Sequence, residues 1–221
     1  MLVAGVDDAG RGPVIGPLVI AGVLFHDSQI PKLQALGAKD SKALTPSRRE
    51  ALSPEIKRLA VQWKVLEFSP AEVDKVVLEG TKLRRLNWFE AVAMAEVIKR
   101  LRPETAYVDA SDVVEARFAQ QIRELVPFEV NVIAEHHADA KYTVVGAASI
   151  IAKVHRDEVI ASLRERYGDL GSGYPSDPRT KEFLSRWIRE KRDFPNFVRK
   201  SWKTSKRLME KEGQLRLDDD E

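Results

Sequence analysis

Short apolar runs, first adjoining and then separated by helical patterns, constrain this chain more than any other feature. Leu2 to Asp7 reads as a short buried strand, and Pro17 to Phe25 as a second, rich in Val, Ile and Leu. Val61 to Phe68 alternates and reads as a third. It comes after a helix that Thr45 caps, with Pro46 in its first turn. Helices are predicted over Pro70 to Glu79 and Thr81 to Arg100, split near Gly80. Ala106 to Asp109 is a fourth strand, Val113 to Val126 a helix, and Phe128 to Glu135 a fifth, alternating strand. A long helix is predicted over Lys141 to Tyr167, then a loop, Gly168 to Pro178, and a further helix over Thr180 to Lys191. Strands first, then strands alternating with helices, predict an α/β fold. Its mixed five-stranded sheet is flanked by helices and followed by a C-terminal helical extension.

The 221 residues, 43% hydrophobic, suffice for one sizeable core with an appended subdomain. The expected division is a body over 1–167, a basic helical extension over 168–211 and an acidic, disordered tail over 212–221. Charge supports it. Residues 1–178 carry 23 basic and 25 acidic side chains, 179–211 carry 12 and 4, and 212–221 carry one and five. A basic segment on a near-neutral body suits a docked polyanion, although a solvated helix face explains such a run equally well. The chain has no cysteine, which excludes disulfides, thiolate metal sites and cysteine nucleophiles. No apolar run reaches the roughly 18 residues that span a bilayer, and no basic leader precedes the first strand. The expectation is a cytoplasmic protein with no membrane partner.

Acids stand where these elements end. Asp7-Asp8 closes the first strand and is followed by Ala9-Gly10-Arg11-Gly12-Pro13. Paired aspartates are ordinarily turn or cap residues. The glycines at 10 and 12 permit a sharp turn and expose backbone N–H groups to a phosphate or sugar hydroxyl. No Gly-Lys-Ser/Thr comes next, so this is not a Walker loop. The residues after Pro13 are strand-like and do not open a helix, unlike a dinucleotide loop. Asp109 tips a strand, but Asp112 can cap the next helix, and the residues alone do not choose between them. Asp139 alone reads as a helix N-cap. Clustered acids repel one another unless a cation neutralises them, and a hard divalent metal is the natural resolution. His136, His137 and His155 lack ligand spacing on one helical face and read as surface or packing residues.

Several longer motifs carry a resemblance. They are Gly5 to Pro13, Ile15 to Leu18, Lys39 to Thr45, Tyr107 to Asp109, Ala138 to Tyr142, Ala148 to Val154, Gly173 to Asp177 and Val198 to Trp202. Together, over residues 1 to about 207, the chain resembles type 2 ribonuclease H (ribonuclease HII) in its archaeal form. That resemblance implies a ribonuclease H-like fold. It implies an endonuclease that cuts the RNA strand of RNA–DNA hybrids and cuts 5′ of ribonucleotides embedded in duplex DNA. Two divalent ions, Mg²⁺ or Mn²⁺, would serve it, leaving 3′-hydroxyl and 5′-phosphate ends. By the same resemblance Asp7, Asp8, Asp109 and Asp139 are the catalytic metal-site residues, and Asp112 is not. Gly10, Arg11 and Gly12 would sense the 2′-hydroxyl that separates RNA from DNA. Tyr174 would pack on the sugar, although alone it reads as a loop aromatic covering the core. Lys42 would contact a phosphate. The expected state is a monomer.

One position departs from the family, which normally has Glu where this chain has Asp8. Asp is shorter by one methylene, about 1.5 Å. The expectation is that Asp8 acts through a bridging water or a shifted metal, with preference moved toward Mn²⁺. Three other readings stand beside the enzyme. A binding-only relative is motivated by Asp8. A tail adaptor is motivated by Gln214 and Leu217, which faintly match a sliding-clamp peptide lacking its aromatic pair. A resolvase of the same fold is opposed by the glycine turn and the Tyr174 loop.

Overall fold

The structure is a computed structural model that describes residues 1–38, 43–80 and 86–219, with side chains as far as residue 212. The described residues pack as two compact units. The first comprises Met1–Ala9, Val19–Glu67 and Thr81–His155, and the second Gly10–Leu18, Phe68–Gly80 and Arg156–Glu221. The strands are β1 (Leu2–Ala9), β2 (Leu18–His26), β3 (Gln62–Phe68), β4 (Thr105–Asp109) and β5 (Asn131–Glu135). The helices among the described residues are α1 (Ile30–Ala35), α2 (Pro46–Leu59), α3 (Pro70–Glu79), α4 (Leu86–Leu101), α5 (Glu115–Leu125), α6 (Ala138–Lys141), α7 (Thr143–Tyr167), α8 (Pro178–Lys191) and α9 (Lys203–Asp219). None of them is long and apolar enough to cross a membrane.

The expected mixed five-stranded sheet is present, in the order β3-β2-β1-β4-β5. β1 is antiparallel to β2 and parallel to β4, and β4 is parallel to β5. Two glycines let helices approach the sheet closely. A Cβ on Gly5 would stand 2.1 Å from the backbone carbonyl of Val144, so the start of α7 lies directly on β1. A Cβ on Gly22 would stand 2.3 Å from Val97 Cγ1 of α4. Val6 pairs with Gly22, and Gly5 with Val23. Adjacent strand residues face opposite ways, so the Gly5 face carries α7 and the Gly22 face carries α4. The small early half of α7 serves this approach, since Val144, Val145, Ala147, Ala148 and Ile151 are all buried.

Local chemistry explains the element starts. The Thr45 hydroxyl accepts the Arg48 N–H at 3.3 Å with Pro46 in the first turn, as the sequence predicts. Ser69 and Glu72 form a reciprocal capping box ahead of α3. Several boundaries differ from expectation. β1 does not end at Asp7, because Ile20 and Val19 of β2 pair with Asp8 and Ala9. The helix expected from Lys141 is broken at Tyr142, whose backbone is extended at φ −110° and ψ 117°, which separates α6 from α7. β5 starts at Asn131, not Phe128, whose ring lies under the Arg102 guanidinium at 4.7 Å. The predicted helix start at Thr81 lies outside the described residues.

The second unit has its own core, in which Val14, Ile15 and Ile160 pack with Leu170, Phe183 and Phe197. The basic helix α8 is part of it. Phe183, Leu184 and Ile188 face inward, while Lys181, Arg186 and Arg189 face solvent.

Candidate active site

In the first unit the acids gather at the carboxyl ends of two neighbouring parallel strands. Val6 of β1 pairs with Val108 of β4, so Asp7 and Asp109 stand level, each one residue further on and on the same face. This is where ligand sites form in open α/β sheets. The face is that of Gly5, and therefore that of α7. Ser149 and Lys153, four residues apart on α7, both act on Asp7. Lys153 Nζ donates to the Ser149 hydroxyl.

Asp7 is 3% exposed, and its carboxyl is held well above the usual carboxylate range. Burial is the largest cause. The neighbouring charges of Asp8 and Asp109 push the same way, while Lys153 and a hydrogen bond from Ser149 oppose them. The Asp8 N–H donates to Asp7 Oδ1 at 2.7 Å, which ties the first carboxylate to the backbone of the second acid. Asp109 Oδ1 accepts the N–H of Ala138 at 2.8 Å. Asp139 is the next residue, in the first turn of α6, and is 1% exposed. It is not the N-cap that its sequence suggests, because His137 takes that place in a left-handed backbone conformation, φ 57°. The structure therefore joins Asp7, Asp8 and Asp109 in one field and ties Asp139 to Asp109 through the backbone. Asp112 stands apart. Arg117 and the Val114 N–H engage it and hold its pKa below the ordinary value.

A divalent cation suits this cluster by donor chemistry, being a hard ion among carboxylate oxygens, and by the repulsion it would relieve at Asp7. Among the described residues, no group of three His, Asp or Glu side chains is drawn together closely enough to hold a metal ion by itself. The His136 N–H donates to Glu115 Oε1 at 2.6 Å, and His155 Nε2 lies 2.6 Å from Glu67 Oε2.

In the second unit Gly10 adopts φ +87°, and a Cβ there would stand 2.3 Å from the Pro17 carbonyl oxygen and 2.8 Å from Arg156 Cδ. Only glycine fits. Gly12 is exposed, and the Tyr174 ring edge lies 3.7 Å from where its Cβ would be. Tyr174 is 43% exposed, so it does not cover the core. Its ring lies 5.6 Å from the Arg156 guanidinium. Arg156 is 6% exposed, its pKa is lowered by burial, and its Nε has no hydrogen-bond partner among the described residues. Asp177 orders the loop that carries Tyr174. Its Oδ2 accepts the Ser172 N–H at 2.7 Å and its Oδ1 the Arg179 N–H at 2.9 Å, which lowers its pKa to about 2. Lys42 lies outside the described residues. Sequence reasoning left Ser149 and Lys153, beside the acids, and Arg156, beside the glycine turn, without a role, although Ser149 and Lys153 lie in the motif Ala148 to Val154.

The ribonuclease HII family model matches residues 4–205. The chain belongs to the ribonuclease HII family. It is 49% identical over 213 residues to ribonuclease HII of Thermococcus onnurineus, covering 96% of this chain and 91% of that protein. The crystal structure of ribonuclease H2 from Pyrococcus horikoshii superposes with a TM-score of 0.89 at 46% identity, covering 96% and 98% of the two chains. A ribonuclease HII solved in complex with PCNA, from Archaeoglobus fulgidus, superposes with a TM-score of 0.83 at 46% identity, covering 93% and 96%. The fold is thus ribonuclease H-like, and the protein is a metal-dependent endoribonuclease with ribonuclease H activity on RNA–DNA hybrids.

Proposed function

We propose that this ribonuclease HII also nicks duplex DNA 5′ of a single embedded ribonucleotide, leaving 3′-hydroxyl and 5′-phosphate ends. The observation that carries the reading is the field at Asp7. This buried carboxyl lies beside Asp8 and Asp109 and is pushed well above its usual range. Such a site favours cation uptake, because a bound cation offsets the cost of a buried negative charge and screens the repulsion among the acids.

Asp7, Asp8, Asp109 and Asp139 would hold two divalent ions, Mg²⁺ or Mn²⁺. Bound there, such ions supply an activated water and neutralise charge on the leaving oxygen. The side chains do the rest. Asp7, which feels both Asp8 and Asp109, would bridge the two ions. Asp109 fixes the start of α6 and with it Asp139. Lys153 offsets part of the negative field. The turn Gly10-Arg11-Gly12 would read the 2′-hydroxyl through its backbone, with Tyr174 beside it against the sugar. Lys42 would contact a phosphate. The exposed cations of α8 and α9, such as Lys181, Arg189 and Lys206, would hold the duplex by its phosphates. Cleavage of a duplex with one ribonucleotide, over a series of Mg²⁺ and Mn²⁺ concentrations, tests the reading. Binding without cleavage in either metal would leave only a binding protein.

One finding favours a second role, because the A. fulgidus relative was solved with PCNA. We propose that the C-terminal tail, with Gln214 and Leu217, engages a sliding clamp. Capture of the clamp by this protein, lost on Leu217→Ala, is the expected result.

A further inference from the structure

Two side chains hold the carbonyl oxygens of the glycine turn. Arg199 Nη2 donates to Gly10 O and, at 3.2 Å, to Gly16 O, and Arg199 Nη1 donates to Arg11 O at 2.9 Å. Trp202 Nε1 donates to Gly12 O at 3.1 Å. Arg199 is fully buried, and its guanidinium lies 4.7 Å over the Trp202 ring. A trans peptide directs its N–H opposite to its C=O. With the carbonyls of Gly10 and Arg11 turned to Arg199, the N–H groups of Arg11 and Gly12 point the other way. The next peptide gives its carbonyl to Trp202 and has no N–H, because its nitrogen belongs to Pro13. One face of the turn is thus all acceptors, satisfied from below, and the N–H groups of Arg11 and Gly12 lie on the other.

A single buried acid holds the segment that supplies those two side chains. Asp74 of α3 is 8% exposed. Its Oδ2 accepts the Lys200 N–H at 2.7 Å, and its Oδ1 accepts the Ser201 N–H at 3.0 Å and the Ser201 hydroxyl. Lys200 and Ser201 are the two residues between Arg199 and Trp202. The Arg199 N–H to Val14 O, at 2.8 Å, and the Ser205 hydroxyl to Arg199 O, at 2.7 Å, fix the other sides. A buried carboxylate is tolerated only when donors surround it, and here its donors come from one short segment.

We propose that Asp74 is a positioning residue for ribose recognition. Through Lys200 and Ser201 it sets Arg199 and Trp202, and these orient the N–H groups of Arg11 and Gly12 toward a 2′-hydroxyl. Asp74 itself touches no substrate. The inference rests on the reading of the glycine turn as the 2′-hydroxyl sensor.

The test is equilibrium binding, without added metal, to two DNA duplexes that differ by one embedded ribonucleotide. Asp74→Asn keeps the shape but puts a donor amide against donors. The preference for the ribonucleotide duplex is expected to fall about tenfold, with affinity for the all-DNA duplex unchanged. Trp202→Phe, which loses one donor and keeps the ring, is expected to lose part of the preference. It carries the test if Asp74→Asn does not fold. A preference that survives in the folded variants overturns the proposal alone, and so does an equal loss of affinity on both duplexes. A wild-type protein with no preference overturns the turn's sensing role and this proposal with it.

Discussion

Asp109 accepts the backbone N–H of Ala138 at 2.8 Å, so the acid that ends β4 also fixes the helix turn that presents Asp139. Two candidate ligands 30 positions apart in the chain are thereby set by one hydrogen bond. Removing the Asp109 carboxylate would disturb Asp139 as well. The effects of Asp109→Ala and Asp139→Ala are accordingly coupled, as expected for groups that share one network.

Asp7→Asn is expected to abolish cleavage and leave hybrid binding intact. It should also stabilise the metal-free protein. The folded-state pKa of Asp7 lies above its unfolded value, near 3.8. Above that value the native state binds more protons than the unfolded state, so the group loses stability as pH rises through its folded pKa. At neutral pH the asparagine variant should melt a few degrees higher in EDTA. A lower melting temperature, read by calorimetry, would contradict this account of the acid cluster.

Asp8→Glu restores the longer acid common in the family. The Mg²⁺-supported cleavage rate should hold or rise, and any Mn²⁺ advantage should shrink. A large drop in the Mg²⁺ rate would mean that this site is built around the shorter side chain.

Asp177→Ala should loosen the loop that carries Tyr174. The Asp177 pKa is lowered to about 2, so its contribution is present above the ordinary value of 3.8 and is lost as pH falls toward about 2. At neutral pH the wild-type loop is therefore fully held. The variant should show a several-fold higher KM for the single-ribonucleotide duplex, with faster amide exchange over 168–178 and a smaller change in kcat. Unchanged exchange in that loop would count against it.

Deleting the basic segment is not an informative test, because Phe183, Leu184 and Ile188 belong to the core. Neutralising exposed cations is. Each of Lys181→Ala, Arg189→Ala and Lys206→Ala that removes a phosphate contact should reduce the slope of log affinity against log salt by about 0.9. Salt titrations on hybrid and DNA duplexes should shift together. Slopes equal to wild type in all three variants would place the duplex on another face.

Much of the site was legible because strand ends and glycines mark it. The apolar runs place Asp109 at the tip of its strand and Asp7 near the end of its own, and the parallel register then makes them neighbours. Asp139 was opaque, because its environment depends on a helix break at Tyr142 that no local pattern announces. The strand β1 runs on past Asp7 and Asp8 to Ala9, because that pairing depends on Ile20 and Val19 of the partner strand, not on residues 7 and 8. Asp74 lies one residue after the buried Val73 in α3, and nothing in that helix says that its partners are residues 200 and 201. Long-range hydrogen bonds of this kind leave no periodicity to read.

Gly5 gives this architecture an unusual intolerance. Elsewhere in a core an added methyl is absorbed when neighbouring side chains rotate. At Gly5 the obstacle is the main chain of Val144, 2.1 Å from where the methyl would sit, and main chain has no rotamers to offer. The helix would have to lift as a whole, carrying Ser149 and Lys153 with it. The reach of that lysine into the acid cluster is thus governed by a hydrogen atom two residues before the first aspartate.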